Sequence, residues 1–140
     1  MILADSGFWV ALFNPRDRFH APAVVAAARH EREGFITTQA VVTEASYLLA
    51  ARRHPGLAAN FIAALFDASV ELFEPGREAL PRAARLMSQY LSLPMDYADA
   101  SLLLLAEHLG HGRILTTDQR DFGSYRWKNH YPFDNLLEVA

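Results

Sequence analysis

Met1-Ile2-Leu3-Ala4-Asp5-Ser6-Gly7 opens the chain: an apolar run that reaches a carboxylate, a hydroxyl and a glycine at once, the pattern of a short strand ending in a turn. A carboxylate set directly against hydrocarbon is unfavourable unless a metal, a cation or a proton compensates it. The same placement recurs at Glu44, Asp96, Asp99 and Asp118, each at the end of an apolar segment or against one. One shared acidic pocket explains all five together.

Outward from that strand, Phe8 to Phe13 reads as a short helix and Asn14-Pro15-Arg16-Asp17 as a loop. The alanine-rich stretch from about His20 to Arg32 is a helix stopped by Gly34, and Phe35 to Thr37 is a second strand. Thr38 can cap a helix to about Arg53. His54-Pro55-Gly56 then breaks the chain before a helix from about Leu57 to Ala68, and Val70 to Phe73 is a third strand. Pro75-Gly76 turns into a helix to about Tyr90, Pro94 closes a loop, and Asp96 opens a helix through Leu109. Gly110 and Gly112 end that helix, and Arg113 to Thr117 is a fourth strand.

Strands alternating with helices imply a mostly parallel sheet covered on both faces, with ligands outside the carboxyl ends of the strands where strand order reverses. Asp5 and Asp118, 113 positions apart, both stand just past such an end and can lie side by side. No repeat, linker or low-complexity segment divides the chain, so residues 1–140 are expected to form a single domain.

The 140 residues are 51% hydrophobic without any run near the roughly 20 apolar residues of a membrane span, which predicts a soluble protein. The N-terminus lacks a basic segment and a cleavage site, so a cytoplasmic location is expected. With no cysteine, disulfides, thiolate metal sites and cysteine nucleophiles are excluded. A net charge of −3 argues against a broad basic surface but leaves room for a local one. Twelve of the thirteen cations are Arg, suited to bidentate phosphate contacts, although compositional bias alone would give the same preference.

Each acid has a plain structural reading beside the functional one. Glu44 falls at the edge of the stripe Val41, Val42, Ala45, Leu48, Leu49, about 40° from Leu48 at roughly 100° per residue, where an ordinary glutamate could still reach solvent. Asp99 shares a face with Leu103 and Ala106 on a helix apolar nearly all round, yet it is also an acid in a first helical turn, and Asp96 fits the N-cap itself. Asp5 could cap the first helix, and Thr116-Thr117-Asp118 could form an Asx-turn. Convergence decides for function: four or five carboxylates at one sheet edge repel each other strongly unless cations are present. Hard divalent cations take such oxygen ligands, whereas the six histidines show no H-x-x-x-H or H-x-H pairing. Nucleotide-binding glycine loops and a G-x-S-x-G elbow are absent.

Ile2-Leu3-Ala4-Asp5-Ser6, Val41-Val42-Thr43-Glu44, Leu93-Pro94-Met95-Asp96-Tyr97-Ala98-Asp99-Ala100 and Ile114-Leu115-Thr116-Thr117-Asp118 leading to Asp121-Phe122 together resemble the PIN-domain nucleases, and among them the VapC-like toxins of toxin–antitoxin pairs. The resemblance spans essentially the whole chain. It implies a three-layer α/β/α sandwich with a mostly parallel sheet of four or five strands, and an Mg²⁺ or Mn²⁺ site. Asp5, Glu44, Asp99 and Asp118 carry over as catalytic acids and metal ligands, with Asp121 as a substitute for Asp118 in some relatives and Asp96 as an acid found in part of the family. Ser6 and Thr116 are candidates to orient waters or carboxylates from behind.

The expected activity is metal-dependent cleavage of RNA phosphodiesters, with a tRNA or rRNA loop as a natural target because unpaired bases can be splayed out. Arg16, Arg18, Arg120 and Arg126 are candidates to grip phosphates, against a plain reading as solvated loop charges. A cognate antitoxin and a homodimer are the expected protein partners. Part of the apolar face of Leu57, Phe61, Ile62, Leu65 and Phe66 would serve them. The alternative is a catalytically idle fold that binds nucleic acid or protein. A phosphatase of the dehalogenase type would want an Asp at position 7, which is Gly.

Overall fold

The computed structural model describes residues 1–139. Five strands, β1 (Ile2–Ala4), β2 (Phe35–Thr38), β3 (Glu71–Phe73), β4 (Arg113–Leu115) and β7 (Asp134–Asn135), form one sheet in the order β3-β2-β1-β4-β7 with every pairing parallel. The hairpin of β5 (Arg126–Trp127) and β6 (Tyr131–Pro132) stands apart from it.

Seven helices cover the sheet: α1 (Ser6–Phe13), α2 (His20–Arg29), α3 (Gln39–Arg52), α4 (Pro55–Asp67), α5 (Leu80–Gln89), α6 (Tyr97–Leu109) and α7 (Gln119–Ser124). Right-handed crossovers run outward from β1 to β2 to β3 and return to β4, so α1 to α4 and α5 to α6 fall on opposite faces. In agreement, α1, α3 and α4 pack in series and α5 packs on α6. The result is the three-layer α/β/α sandwich.

The core is where the apolar strand segments meet the helices. Ile2, Leu3, Ala4, Ile114 and Leu115 are wholly buried, as are Leu102, Leu103 and Leu105 of α6. Burying each Leu or Ile contributes roughly 1.5–3 kcal/mol, which anchors the central strands and the acids just past their ends.

Several boundaries depart from the sequence reading for identifiable reasons. β4 ends at Leu115 rather than Thr117 because the Asn135 side chain replaces the ladder: its amide oxygen accepts from the Thr116 N–H (3.2 Å) and its amide nitrogen donates to the Thr116 carbonyl (3.1 Å). Pro55-Gly56 begins α4 instead of breaking the chain, since proline suits the first helical turn and His54 Nδ1 accepts from the Leu57 N–H at 3.1 Å. α2 stops at Arg29, followed by turns that reach Gly34 at φ 77°. After Gly76 a 3₁₀ turn (Arg77–Ala79) precedes α5, whose Pro81 sits in the first turn. Val70 remains outside β3 because its N–H donates to Leu65 O, closing α4.

Candidate active site

The strand order reverses between β1 and β4, whose connections leave in opposite directions, and a crevice opens there at their carboxyl ends. Registry places its walls: Ala4 pairs with Leu115, and the Asp5 N–H donates to Leu115 O at 3.2 Å. Asp5 and Asp118 consequently leave adjacent strands side by side. A side chain at Gly7 would collide with Thr117 Oγ1, so the first turn of α1 can lie against the β4–α7 turn only because residue 7 has none.

A second pair of helix starts supplies the facing wall. Thr38 Oγ1 caps α3 through the Val41 N–H (3.1 Å) and shares a buried 2.7 Å hydrogen bond with Ser101 of α6. This bond locks α3, carrying Glu44, to α6, carrying Asp99. The cleft enclosed by these elements has a volume of about 470 Å³ and is lined by Asp5, Glu44, Asp96, Asp99, Asp118 and Asp121. Asp17 joins these six acids from the loop after α1.

Three of the acids that line the cleft are also helix caps. Asp5, Asp96 and Asp118 each accept a backbone N–H through Oδ1, from Phe8 (2.9 Å), Asp99 (2.8 Å) and Asp121 (3.0 Å) respectively. The cap fixes the plane of each carboxylate and leaves Oδ2 for other partners. Thr116 Oγ1 donates to Asp5 Oδ2, Ser6 Oγ donates to Glu44 Oε1, and Tyr125 Oη donates to Asp99 Oδ2 at 3.1 Å.

Among the described residues no lysine, arginine or histidine forms an ion pair with any acid of the cleft. The consequence is electrostatic frustration. Burial pushes the Asp5 carboxyl from 3.8 up to about 7, against the Thr116 hydroxyl and the Phe8 N–H, with Asp118 and Glu44 adding to the rise. Asp99 is pushed up to about 8, first by burial and then by Asp96, opposed in part by Tyr125. Glu44 is raised by burial and by Asp96 despite Ser6, and Asp121 by burial and by Asp118. The Tyr125 phenol is itself raised, by burial and by Asp99, so it remains a donor.

Oxygen-only donors, crowded and without an ion-paired cation among the described residues, fit a hard divalent cation. No three Asp, Glu or His side chains among the described residues already converge into a metal-binding group. That openness suits an ion such as Mg²⁺, which retains several waters and takes one or two carboxylates directly.

All six candidate metal-binding acids line this one cleft, and Ser6 and Thr116 both hold one of them. Of the four candidate phosphate-gripping arginines, Arg18 lines the cleft, whereas Arg16 and Arg120 lie outside its lining. The Arg126 guanidinium turns back to the Gly123 and Tyr125 carbonyls, at 3.0 and 2.9 Å. Sequence reasoning missed Asp17, Arg52 and Tyr125. Arg52 was detectable, since it continues the Glu44–Leu48 stripe at the next i+4 step; Tyr125 comes after a six-residue helix that carries no periodic signal.

Residues 2–128 match the PIN domain family model. The chain is 27% identical over 125 residues to Ribonuclease VapC26 of Mycobacterium tuberculosis (strain ATCC 25618 / H37Rv), covering 89% of this chain and 92% of that protein. The crystal structure of Mycobacterium tuberculosis VapC20, a Sarcin-Ricin loop cleaving toxin, superposes with a TM-score of 0.74 at 20% identity, covering 86% of this chain and 92% of the other. At that identity the likeness speaks for the fold.

Proposed function

This chain belongs to the PIN domain family, and from that premise we propose that it is a single-domain, divalent-metal-dependent endoribonuclease that acts in the cytoplasm as the toxin of a type II toxin–antitoxin pair. The observation that carries the reading is the cleft itself, lined by carboxylates from the end of β1, α3, the start of α6 and the β4–α7 segment without one protein cation paired to them among the described residues. A purely structural acid would be paired or solvent-facing.

Asp5, Glu44 and Asp99 would hold Mg²⁺ or Mn²⁺, with Asp118, Asp121 and Asp96 around them. A divalent ion held there supplies an acidified water and neutralises charge on a phosphodiester oxygen. Ser6 fixes the Glu44 carboxylate, Thr116 fixes Asp5 and Tyr125 fixes Asp99, so the ligands are oriented before substrate arrives. The substrate is RNA, an unpaired tRNA or rRNA loop, in keeping with the Sarcin-Ricin loop that VapC20 cleaves. No helix among the described residues is long and apolar enough to cross a membrane. Ile62 and Phe66 of α4 are 45% and 87% exposed, and this apolar surface fits a cognate antitoxin or a second copy of the chain.

Cleavage of total RNA with Mg²⁺, with Mn²⁺ and with EDTA tests the reading. Cleavage is expected only with metal, abolished by Asp5→Asn, Glu44→Gln or Asp99→Asn and reduced less by Asp96→Asn. EDTA-resistant cleavage, or full activity in Asp99→Asn, would overturn it.

A further inference from the structure

The acidic cleft is not acidic throughout. Arg18 and Arg52 also line it, and among the described residues neither forms an ion pair with a carboxylate, in a cavity lined by seven of them. Arg52 lies on the Glu44–Leu48 stripe two turns farther along α3, about 12 Å along the axis at 1.5 Å per residue. Arg18 comes after α1, which packs on α3. Arg52 is therefore displaced from Glu44 along α3, and Arg18 joins the same lining from the loop after α1, next to Asp17.

The loop that presents Arg18 is built rather than loose. Asn14 Oδ1 accepts the Arg16 N–H (3.1 Å), Asp17 Oδ1 accepts the Phe19 N–H (2.9 Å), and His20 Nδ1 bonds Ala11 O at 2.8 Å, tying the loop back to α1. The Arg18 guanidinium lies 4.6 Å from the centroid of the Phe19 ring. Phe19, Val10 and Leu48 add an apolar lining to this part of the cleft. An arginine stacked on an aromatic ring, a second arginine and an apolar wall are the elements that hold an unstacked nucleotide, the cations taking phosphate and the flat groups taking the base.

We propose that Arg18, Phe19, Leu48 and Arg52 form a subsite for the unpaired ribonucleotide flanking the scissile phosphate on one side. The subsite rests on the ribonuclease reading above and gives the cleft a polarity: chemistry at the acids, and strand anchoring at the arginines. Arg18 and Arg52 are positioning residues, acting on the substrate away from the reacting bond.

The test uses the full-length protein with Mn²⁺ and a set of short single-stranded oligoribonucleotides sharing one cleavage site, truncated stepwise from the 5′ or the 3′ side. Removing the flanking nucleotide on one side should raise KM for the wild type. Arg18→Ala and Arg52→Ala should each raise KM for the long substrate about fivefold with little change in kcat, and should lose sensitivity to truncation on that side alone. Each should also reduce the salt slope of binding by about 0.7, with partial recovery in Arg52→Lys. Wild-type protein that cleaves no RNA with either metal would remove the ribonuclease reading and the subsite together. Active variants with wild-type KM, truncation profile and salt slope would overturn the subsite alone.

Discussion

Replacing Asp99 by Asn should stabilise the metal-free protein, an unusual outcome for a change in a mostly buried helical residue. The Asp99 carboxyl is raised from 3.8 to about 8 in the folded state. Between those values the native state holds a proton that the unfolded chain has released, so native stability declines as pH rises from about 4 to about 8. At about 1.36 kcal/mol per unit the ceiling is about 5–6 kcal/mol. Asp99 retains some solvent contact, and screening reduces this to about 2 kcal/mol. Asn matches the shape of the protonated acid, keeps an acceptor for the Tyr125 hydroxyl and removes a charge from beside Asp5 and Glu44. For a chain of this size the gain corresponds to about 6–8 °C in melting temperature.

Thermal unfolding of both proteins in EDTA at pH 8.5 and pH 5 measures it. The difference should be smaller at pH 5, which lies closer to the unfolded-state value of 3.8, so that less of the stability lost with rising pH has yet been lost. A variant that melts at or below the wild type at pH 8.5, or a difference indifferent to pH, would mean that Asp99 serves as an ordinary helix-start acid and that the carboxylates do not share a pocket.

Single contacts carry further expected outcomes. Tyr125→Phe removes the donor that opposes protonation of Asp99, so the acidic limb of metal-dependent cleavage should move to higher pH, visible in a kcat/KM profile. Thr38→Val deletes both the α3 cap and the buried link to Ser101 and should lower stability by about 2–3 kcal/mol in urea unfolding. Leu103→Ala, at a fully buried position of α6, should cost about 2–5 kcal/mol by the same assay.

Four strands of the sheet and the placing of Asp5 beside Asp118 were legible because the signal is local: Ile2 to Ala4 and Arg113 to Leu115 are apolar runs ended by a polar residue, and a parallel sheet gathers the residues just past such strand ends along one edge. The strands that follow α7 were not legible. The two-residue strands β5, β6 and β7 are too short to show alternation, and β7 exists because Asn135 completes the edge of β4. Arg126 illustrates a second limit. Nearness in sequence to an acidic loop does not say where a long side chain goes, and two backbone carbonyls claimed it. Asp5, Asp96 and Asp118 are each the helix cap that the sequence allowed, and capping uses one carboxylate oxygen, which leaves the second for the proposed ligand role.

Whether the acidic cleft holds a divalent ion is most directly decided by X-ray diffraction from crystals soaked in millimolar MnCl₂, recorded at the manganese absorption edge. An anomalous peak within oxygen-ligand distance of the Asp5 and Asp99 carboxylates, and lost in Asp99→Asn, is the predicted result. No peak in the cleft at saturating manganese, or peaks confined to exposed surface acids, would contradict a metal centre built from these residues.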